Sequence, residues 1–467
     1  MSDSGGPNSD FAQLSEQVQA AMQRFHVPGV AVGLIHGDAE YTAGFGVTSI
    51  ENPLPVTPDT LFQIGSTTKT FTGTAAMRLA EQGKLDLDAP LRAYLPDLRL
   101  SDRSVAAGVT LRHLFTHTGG WVGDYFDDTG HGDDALALIV GRMADLPQLT
   151  PLGEVWSYNN SGFYLGGRVL EVVTGKPYEQ AVQELVFDPL GMVMSFFFAD
   201  DVIAYRVAIG HENPPDDDYQ PRVARPWALP RAAHPAGGII STVKDQLLYA
   251  RFQMGDGAAP DGTRLLTSAS LSEMQQPRLP AANGDFFGLT WFVRDVAGTR
   301  LVRHGGATNG QLSAFQMVPA RRFALTILTN AEQGSLLNRD VVKWALDHYL
   351  GVREAEPETL ELTAAQLAPY TGRYVAASGD LDLTLGDDGL ITMQITPKGG
   401  FPKPDSPPPP APPPVRLAFC GQDCVVVLDE PLKDTRGEFL RDPDAGIAWL
   451  RIGGRVHKHY SPGHLPQ

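Results

Sequence analysis

The run Gly65-Ser66-Thr67-Thr68-Lys69 sets a hydroxyl and an amine three residues apart. In a helix, positions i and i+3 share a face, so both side chains project together if a helix starts near Ser66. A serine hydroxyl is a weak nucleophile and needs a base beside it. A lysine amine serves once burial or nearby cations lower its pKa. The positive end of a helix also favours negative charge developing on the serine oxygen. The chemistry on offer is acyl transfer through an ester on Ser66. Taken alone, though, Ser-x-x-Lys occurs by chance in many chains, and an exposed helix start accounts for it.

Two further groups complement the pair. Tyr158-Asn159-Asn160-Ser161-Gly162 carries a phenol that can relay protons. Its Asn160 offers an amide able to orient a substrate carbonyl or the lysine. On its own, a polar loop around a buried tyrosine explains this segment better. His304-Gly305-Gly306-Ala307 follows the strand-like Leu301-Val302-Arg303. Glycines at a strand edge let a substrate backbone approach closely, and a strand N–H can complete an oxyanion hole. His304 is a candidate for proton transfer or for holding a carboxylate. The plain alternative is a glycine bend with an incidental histidine.

These residues need elements to hold them. Phe11, Leu14, Val18, Met22 and Phe25 recur at helical spacing and predict a helix over 10–26. The apolar run 29–35 predicts a buried strand, returned by a second strand over 39–46 after the His36-Gly37-Asp38 turn. The spacing of Phe71, Ala75 and Leu79 predicts a helix over 66–82, stopped at Gly83. Helices joined by Gly- and Pro-rich loops are expected from about 84 to 235, among them 111–117, 135–143 and 161–173. Strand composition returns at 288–293, 300–304, 311–318 and 323–329, and 341–350 looks helical. The early hairpin and these late strands are expected to share one sheet, with the helical section inserted between them. That is an α/β fold.

A polar stretch at 353–359 marks a boundary near 355. Beyond it, Leu381, Leu383 and Leu385 alternate with polar residues and Asp387-Asp388-Gly389 turns the chain. Further strands are expected at 390–395, 425–428 and 448–452, so residues 356–467 form a small β-rich domain behind a main domain of 1–355. The proline-dense stretch 401–414 must be an extended or disordered loop.

The chain has 467 residues, an apolar fraction of 42% and a formal net charge of −17. Such a chain can bury a large core. The acidic balance, without a Lys/Arg cluster, speaks against nucleic acid and anionic membranes as partners. The opening residues show no secretory signal, and no stretch approaches the ~18–20 apolar residues of a membrane span, so the cytoplasm is the default location. Secretion stays open if the start was trimmed. Cys420 and Cys424, the only cysteines, are expected to be reduced. His113 and His117 sit four apart on an expected helix, but the intervening Leu-Phe-Thr lacks a glutamate, so a structural role is favoured over metal binding. Asp216-Asp217-Asp218 fits a solvated loop better than a calcium site. No metal or organic cofactor is called for.

The order Ser-x-x-Lys, Tyr-x-Asn, His-Gly-Gly resembles the serine β-lactamase and penicillin-binding-protein superfamily. The branch it resembles is that of class C β-lactamases and D-alanyl-D-alanine carboxypeptidases, with their esterases and D-aminopeptidases. Residues 61–73, 83–88, 111–120 and 236–242 also look like that branch, so the resemblance spans about residues 10–350. It implies an antiparallel sheet flanked by helices. It also implies that Ser66 is acylated, that Lys69 and Tyr158 share the base and relay work, and that Asn160 contacts substrate. His304 takes the third-motif position. The N–H groups of Ser66 and Ala307 would form the oxyanion hole beside Gly305 and Gly306. Class C enzymes usually carry Lys-Thr-Gly where this chain has His-Gly-Gly, which points away from efficient β-lactam hydrolysis. The tail resembles the lipocalin-like barrels appended to some peptidases of the branch. The expected activity is hydrolysis of small esters or of D-amino-acid-containing amides or peptides. The alternatives are an acyltransferase or peptide-cyclising enzyme with the same acyl-enzyme, a weak β-lactamase, or a non-catalytic penicillin- or peptide-binding sensor. The partner is a small-molecule or peptide substrate, and assembly into oligomers is left open.

Overall fold

The computed structural model describes residues 7–214, 217–401, 403, 405–442 and 446–460. The opening residues 1–6, Asp216, Pro402 and Pro404 lie outside the described residues.

The run Val30-Ala31-Val32-Gly33-Leu34-Ile35 is apolar throughout because its strand, Gly29–His36, is covered on both faces. Val30, Val32 and Leu34 pack with Leu14, Val18, Val341 and Leu346, from the helices Pro7–Arg24 and Gly334–Leu350. Ala31 and Ile35 point the other way, into the main core with Phe71, Leu247 and Trp291. A strand buried on both sides loses its polar alternation. Its partners are Ala39–Gly46 on one edge and Phe323–Thr329 on the other. Leu312–Val318, Thr299–Ala307 and Phe292–Val296 follow, and two short strands complete an eight-stranded antiparallel sheet. The early hairpin and the late strands do share one sheet.

Two local expectations shift. Residues 288–291 are not strand: the strand begins at Phe292, and Thr290 turns the chain with φ 66°. Leu289 and Trp291 are apolar because they fill the core, and a short apolar run does not by itself separate a strand from a buried turn. The helix after Ser66 runs from Thr68 to Glu81, and Ser66 lies in a preceding 3₁₀ turn, Gly65–Thr67. The tighter turn hands the chain into the helix. That helix is buried nearly all round. Its hydroxyls are satisfied internally: Thr72 Oγ1 lies 2.8 Å from Tyr178 Oη, and Thr74 Oγ1 lies 2.9 Å from Tyr249 Oη.

Eight strands, from Gly372–Val375 to Arg455–Tyr460, close into an antiparallel barrel. Closure leaves no exposed sheet edge. Leu381, Leu383, Ile391, Met393, Val425, Val427 and Phe439 fill its interior. Cys420 and Cys424 are free thiols across a bulged hairpin, with sulfurs 3.0 Å apart. The barrel docks on the main domain by backbone bonds. Tyr158 N–H donates to Gly454 O at 2.8 Å, and Arg436 N–H donates to Asn283 Oδ1 at 2.9 Å. No helix among the described residues is long and apolar enough to cross a membrane.

Candidate active site

Ser66 is fixed by its neighbours before its own side chain does anything. Ser313 Oγ donates to Ile64 O at 2.7 Å and lies 2.9 Å from Thr67 Oγ1, tying the turn to the sheet. Gly65 has φ 52°, and a Cβ there would sit 2.6 Å from Ala307 N. A Cβ on Gly306 would overlap the Ile64 carbonyl oxygen and lie 2.7 Å from Ser66 N. The two glycines are therefore what lets the turn carrying Ser66 lie directly against the strand Thr299–Ala307. That contact brings the backbone of Ser66 and Ala307 together, as an oxyanion hole requires. Replacing Gly306 with alanine is expected to push the turn off the strand and cut turnover about 100-fold, the typical effect of losing one oxyanion donor. Ester turnover measured alongside a thermal melt checks this. Full activity with an unchanged melting temperature would contradict it.

Lys69 is fully buried, and its ammonium would meet three acceptors. Nζ lies 3.0 Å from Ser66 Oγ, 2.7 Å from Asn160 Oδ1 and 2.6 Å from Ala236 O. Asn160 cannot turn its NH₂ toward Lys69, because Nδ2 already donates to Asp124 Oδ1 at 2.9 Å. Burial, then the Arg455 charge, pulls the Lys69 pKa well below its ordinary value, against an opposing pull from Asp124. In the neutral amine, two N–H groups are taken by oxygens that cannot donate, and the lone pair is left for the Ser66 O–H.

Tyr158 is buried in the same site, near enough to Ser66 for the serine to act on its pKa. Burial pushes its pKa up, so the ring rests as a phenol. His304 lies 6.4 Å from the Tyr158 ring, centroid to centroid. Its Nδ1 is 2.6 Å from Gly305 O, so Nδ1 carries the proton and Nε2 keeps a lone pair, buried and without a partner. Burial, then the Lys69 charge, pulls the His304 pKa down to about 3. The ring is thus neutral. Its unpartnered Nε2 is an acceptor.

The structure brings Ser66, Lys69, Tyr158, Asn160, His304, Gly305, Gly306 and Ala307 to one place. It adds three residues that the motifs did not mark. Asp124 is one, on the loop after Trp121. Arg455 is the second, at the barrel's Gly453-Gly454 turn. Its Nε and Nη2 donate to the two Asp124 oxygens, both at 2.9 Å, and its guanidinium lies 4.7 Å from the centre of the Tyr158 ring. The glycine pair signalled a turn, but nothing local linked it to a serine nearly 400 residues earlier. His117 is the third. It leaves its helix, which ends at Phe115, with φ 56°, so it cannot share a helical face with His113. Its Nδ1 instead accepts from Asn159 N–H at 3.0 Å, and its ring packs 4.3 Å from Tyr158. A cavity of about 90 Å³ opens against the 237–238 backbone, walled by Phe197, Phe198, Trp227, Leu229 and Arg231.

Known proteins resemble this chain in sequence and in fold. The chain is 34% identical over 384 residues to penicillin-binding protein 4 of Amycolatopsis lactamdurans, covering 79% of this chain and 99% of that one. It is 28% identical to an unguisins hydrolase of Aspergillus campestris, over 71% of this chain and 64% of that one. The crystal structure of SurE superposes with a TM-score of 0.76 at 24% identity, covering 98% of this chain and all of SurE, a likeness of fold. The beta-lactamase family profile matches residues 14–348, and the chain belongs to that family.

Proposed function

We propose that the protein hydrolyses small esters or D-amino-acid-containing amides and peptides through an ester on Ser66. The observation that carries this is the Lys69 amine, which is held by two acceptors and has one direction left, toward Ser66 Oγ. Lys69 takes the Ser66 proton as the oxygen attacks the acyl carbon. The N–H groups of Ser66 and Ala307 hold the oxyanion. Tyr158, a phenol at rest, passes a proton to the leaving nitrogen or oxygen as its bond to the acyl carbon breaks. Lys69 then hands the serine proton to the Tyr158 oxygen, restoring amine and phenol; water attacks the ester and gives its proton to the amine, which returns it to the Ser66 oxygen as the ester bond breaks. Asn160 orients Lys69 and the substrate, and His304 offers its Nε2 lone pair to a substrate N–H or a proton in transit. Residues 1–355 form the catalytic domain, and 356–467 form the cover that supplies Arg455.

Support for hydrolysis comes from the hydrolase among the relatives, and support for a D-amino-acid-containing substrate from a SurE structure that holds D-Leu. The test is intact-mass analysis after mixing with p-nitrophenyl esters, D-amino-acid amides and a D-Ala-D-Ala peptide. A mass gain of one acyl group, absent in Ser66→Ala, is expected. Full turnover by Ser66→Ala would end the assignment.

A second reading changes the acceptor. The barrel turn at Gly454 lies against Tyr158, so a residue of the second domain borders the site where an amine would take the place of water. Product ratios with competing amines separate transfer or cyclisation from hydrolysis.

A further inference from the structure

Resting on the acyl-enzyme reading above, we infer that the proline-dense strap of the barrel, through Phe401, sets the size of acyl donor admitted to Ser66.

The strap leaves the barrel after the strand Ile391–Pro397 and returns at Val415. Its returning arm, 407–414, holds seven prolines and one alanine. Prolines lack an N–H, cannot join a sheet and hold an extended left-handed helix, so eight residues make a stiff arm of about 25 Å. Both arms are tied to the barrel: Lys398 Nζ donates to Ala376 O at 2.9 Å, and Gln394 Nε2 donates to Pro412 O at 3.4 Å. The tip is closed on itself. Gly400 N–H donates to Ser406 O, and Ser406 N–H donates to Lys403 O, both at 3.0 Å.

This tip does not lie on the barrel's own wall. Phe401 packs edge-on against Phe126 of the main domain, ring centres 5.0 Å apart. Lys403 Nζ lies 3.9 Å from Asp128 Oδ2. Phe126 and Asp128 follow Asp124 on the loop that holds Asn160 and Arg455. The loop is pinned elsewhere: Arg455 grips Asp124, and Arg231 binds His131 O at 2.6 Å and Asp133 at 2.8 Å. Between those anchors, its apex meets the strap.

The path from Ser66 Oγ through Lys69, Asn160 and Asp124 to the Phe126 backbone is at most about 22 Å, which six or seven extended residues span. A peptidyl donor of that size is long enough to meet the Phe126–Phe401 contact, and a short alkyl ester has far less length with which to do so. The contact itself is light. Both ion-pair partners are more than one third exposed, and Phe401 is 40% exposed. Such contacts give way to a large donor only at some cost in rate, which is how a flexible size barrier behaves.

The test uses the full chain and two fluorophosphonates, one with a short alkyl group and one with a bulky peptidyl group. Each forms a Ser66 O–P bond and releases fluoride. Phe401→Ala, Phe126→Ala and a chain shortened by four of the 407–414 prolines are compared with the parent. The bulky probe is expected to label each variant about 5- to 10-fold faster, and the small probe within twofold of the parent. Equal changes for both probes, no change for either, or slower labelling by the bulky probe would overturn the inference. If neither probe labels Ser66 in the parent, the acyl-enzyme reading falls first and this inference with it.

Discussion

Replacing Lys69 with methionine is expected to lower kcat/KM for ester turnover by about three to four orders of magnitude, the upper range for loss of a positioned base. The reason is geometric. Ser66 Oγ has the amine 3.0 Å away, and the other nearby hydroxyl, Tyr158, rests protonated. Methionine matches the lysine stem in length and suits a fully buried site. It leaves Asn160 Oδ1 and Ala236 O without donors, each an unmet bond costing about 1–3 kcal/mol. It also removes the need to bury an ionisable amine, so the net loss of stability is expected to stay near 2 kcal/mol. Kinetics on a p-nitrophenyl ester, with a denaturant melt, separate the two effects. Turnover within tenfold of the parent in a folded variant would remove Lys69 from the role of base. The sign of the pH dependence follows from the same site. The lowered pKa means Lys69 loses its proton, and gains its lone pair, well below the range of an ordinary lysine. Activity should therefore rise with pH through that lowered value and level off above it.

Arg455→Met and Asp124→Asn are expected to move that rising limb in opposite directions. The Arg455 charge lowers the Lys69 pKa, and the Asp124 charge raises it. Removing the guanidinium strips away one influence and leaves the other unpaired, so the limb moves to higher pH. Removing the carboxylate moves it to lower pH. At neutral pH, Arg455→Met is expected to lose about 100-fold in kcat/KM, because it also frees Asp124, which orients Asn160, and bares the Tyr158 ring. Breaking a buried pair costs about 3–5 kcal/mol, but the Arg455 side chain is 31% exposed, so the lower end applies. The double variant should recover stability relative to either single one, since no charge is then left unpaired. Profiles of kcat/KM against pH for the three variants check this. Shifts of the same sign for the two single variants would contradict the assignment of Arg455 as the residue that tunes Lys69.

Part of this site can be read along the chain, and part cannot. Ser66 and Lys69 were legible because their relation is local: three residues across one turn place both side chains together, whether the turn is α or 3₁₀. The sheet was legible from runs such as 30–35, where periodicity and burial agree. It failed at 288–291, where apolar residues fill the core from a turn and periodicity has nothing to register. His113 and His117 show the same limit, since a spacing of four means a shared face only while the helix lasts, and the helix ends between them.

Local sequence was enough to single out Ser66 and Lys69 as candidates, the three-motif order and the alternating strands of a second domain. Each follows from neighbours a few residues apart. Long-range packing walls in Lys69 with Asn160 and Ala236, buries His304 so that its pKa falls, and brings Arg455 of the barrel to the Ser66 site. Those facts depend on burial and on charges brought together across 331 residues of chain, as between Asp124 and Arg455. A pKa is set by such surroundings and not by the residue type, so the motif identified the groups and the fold set how they work.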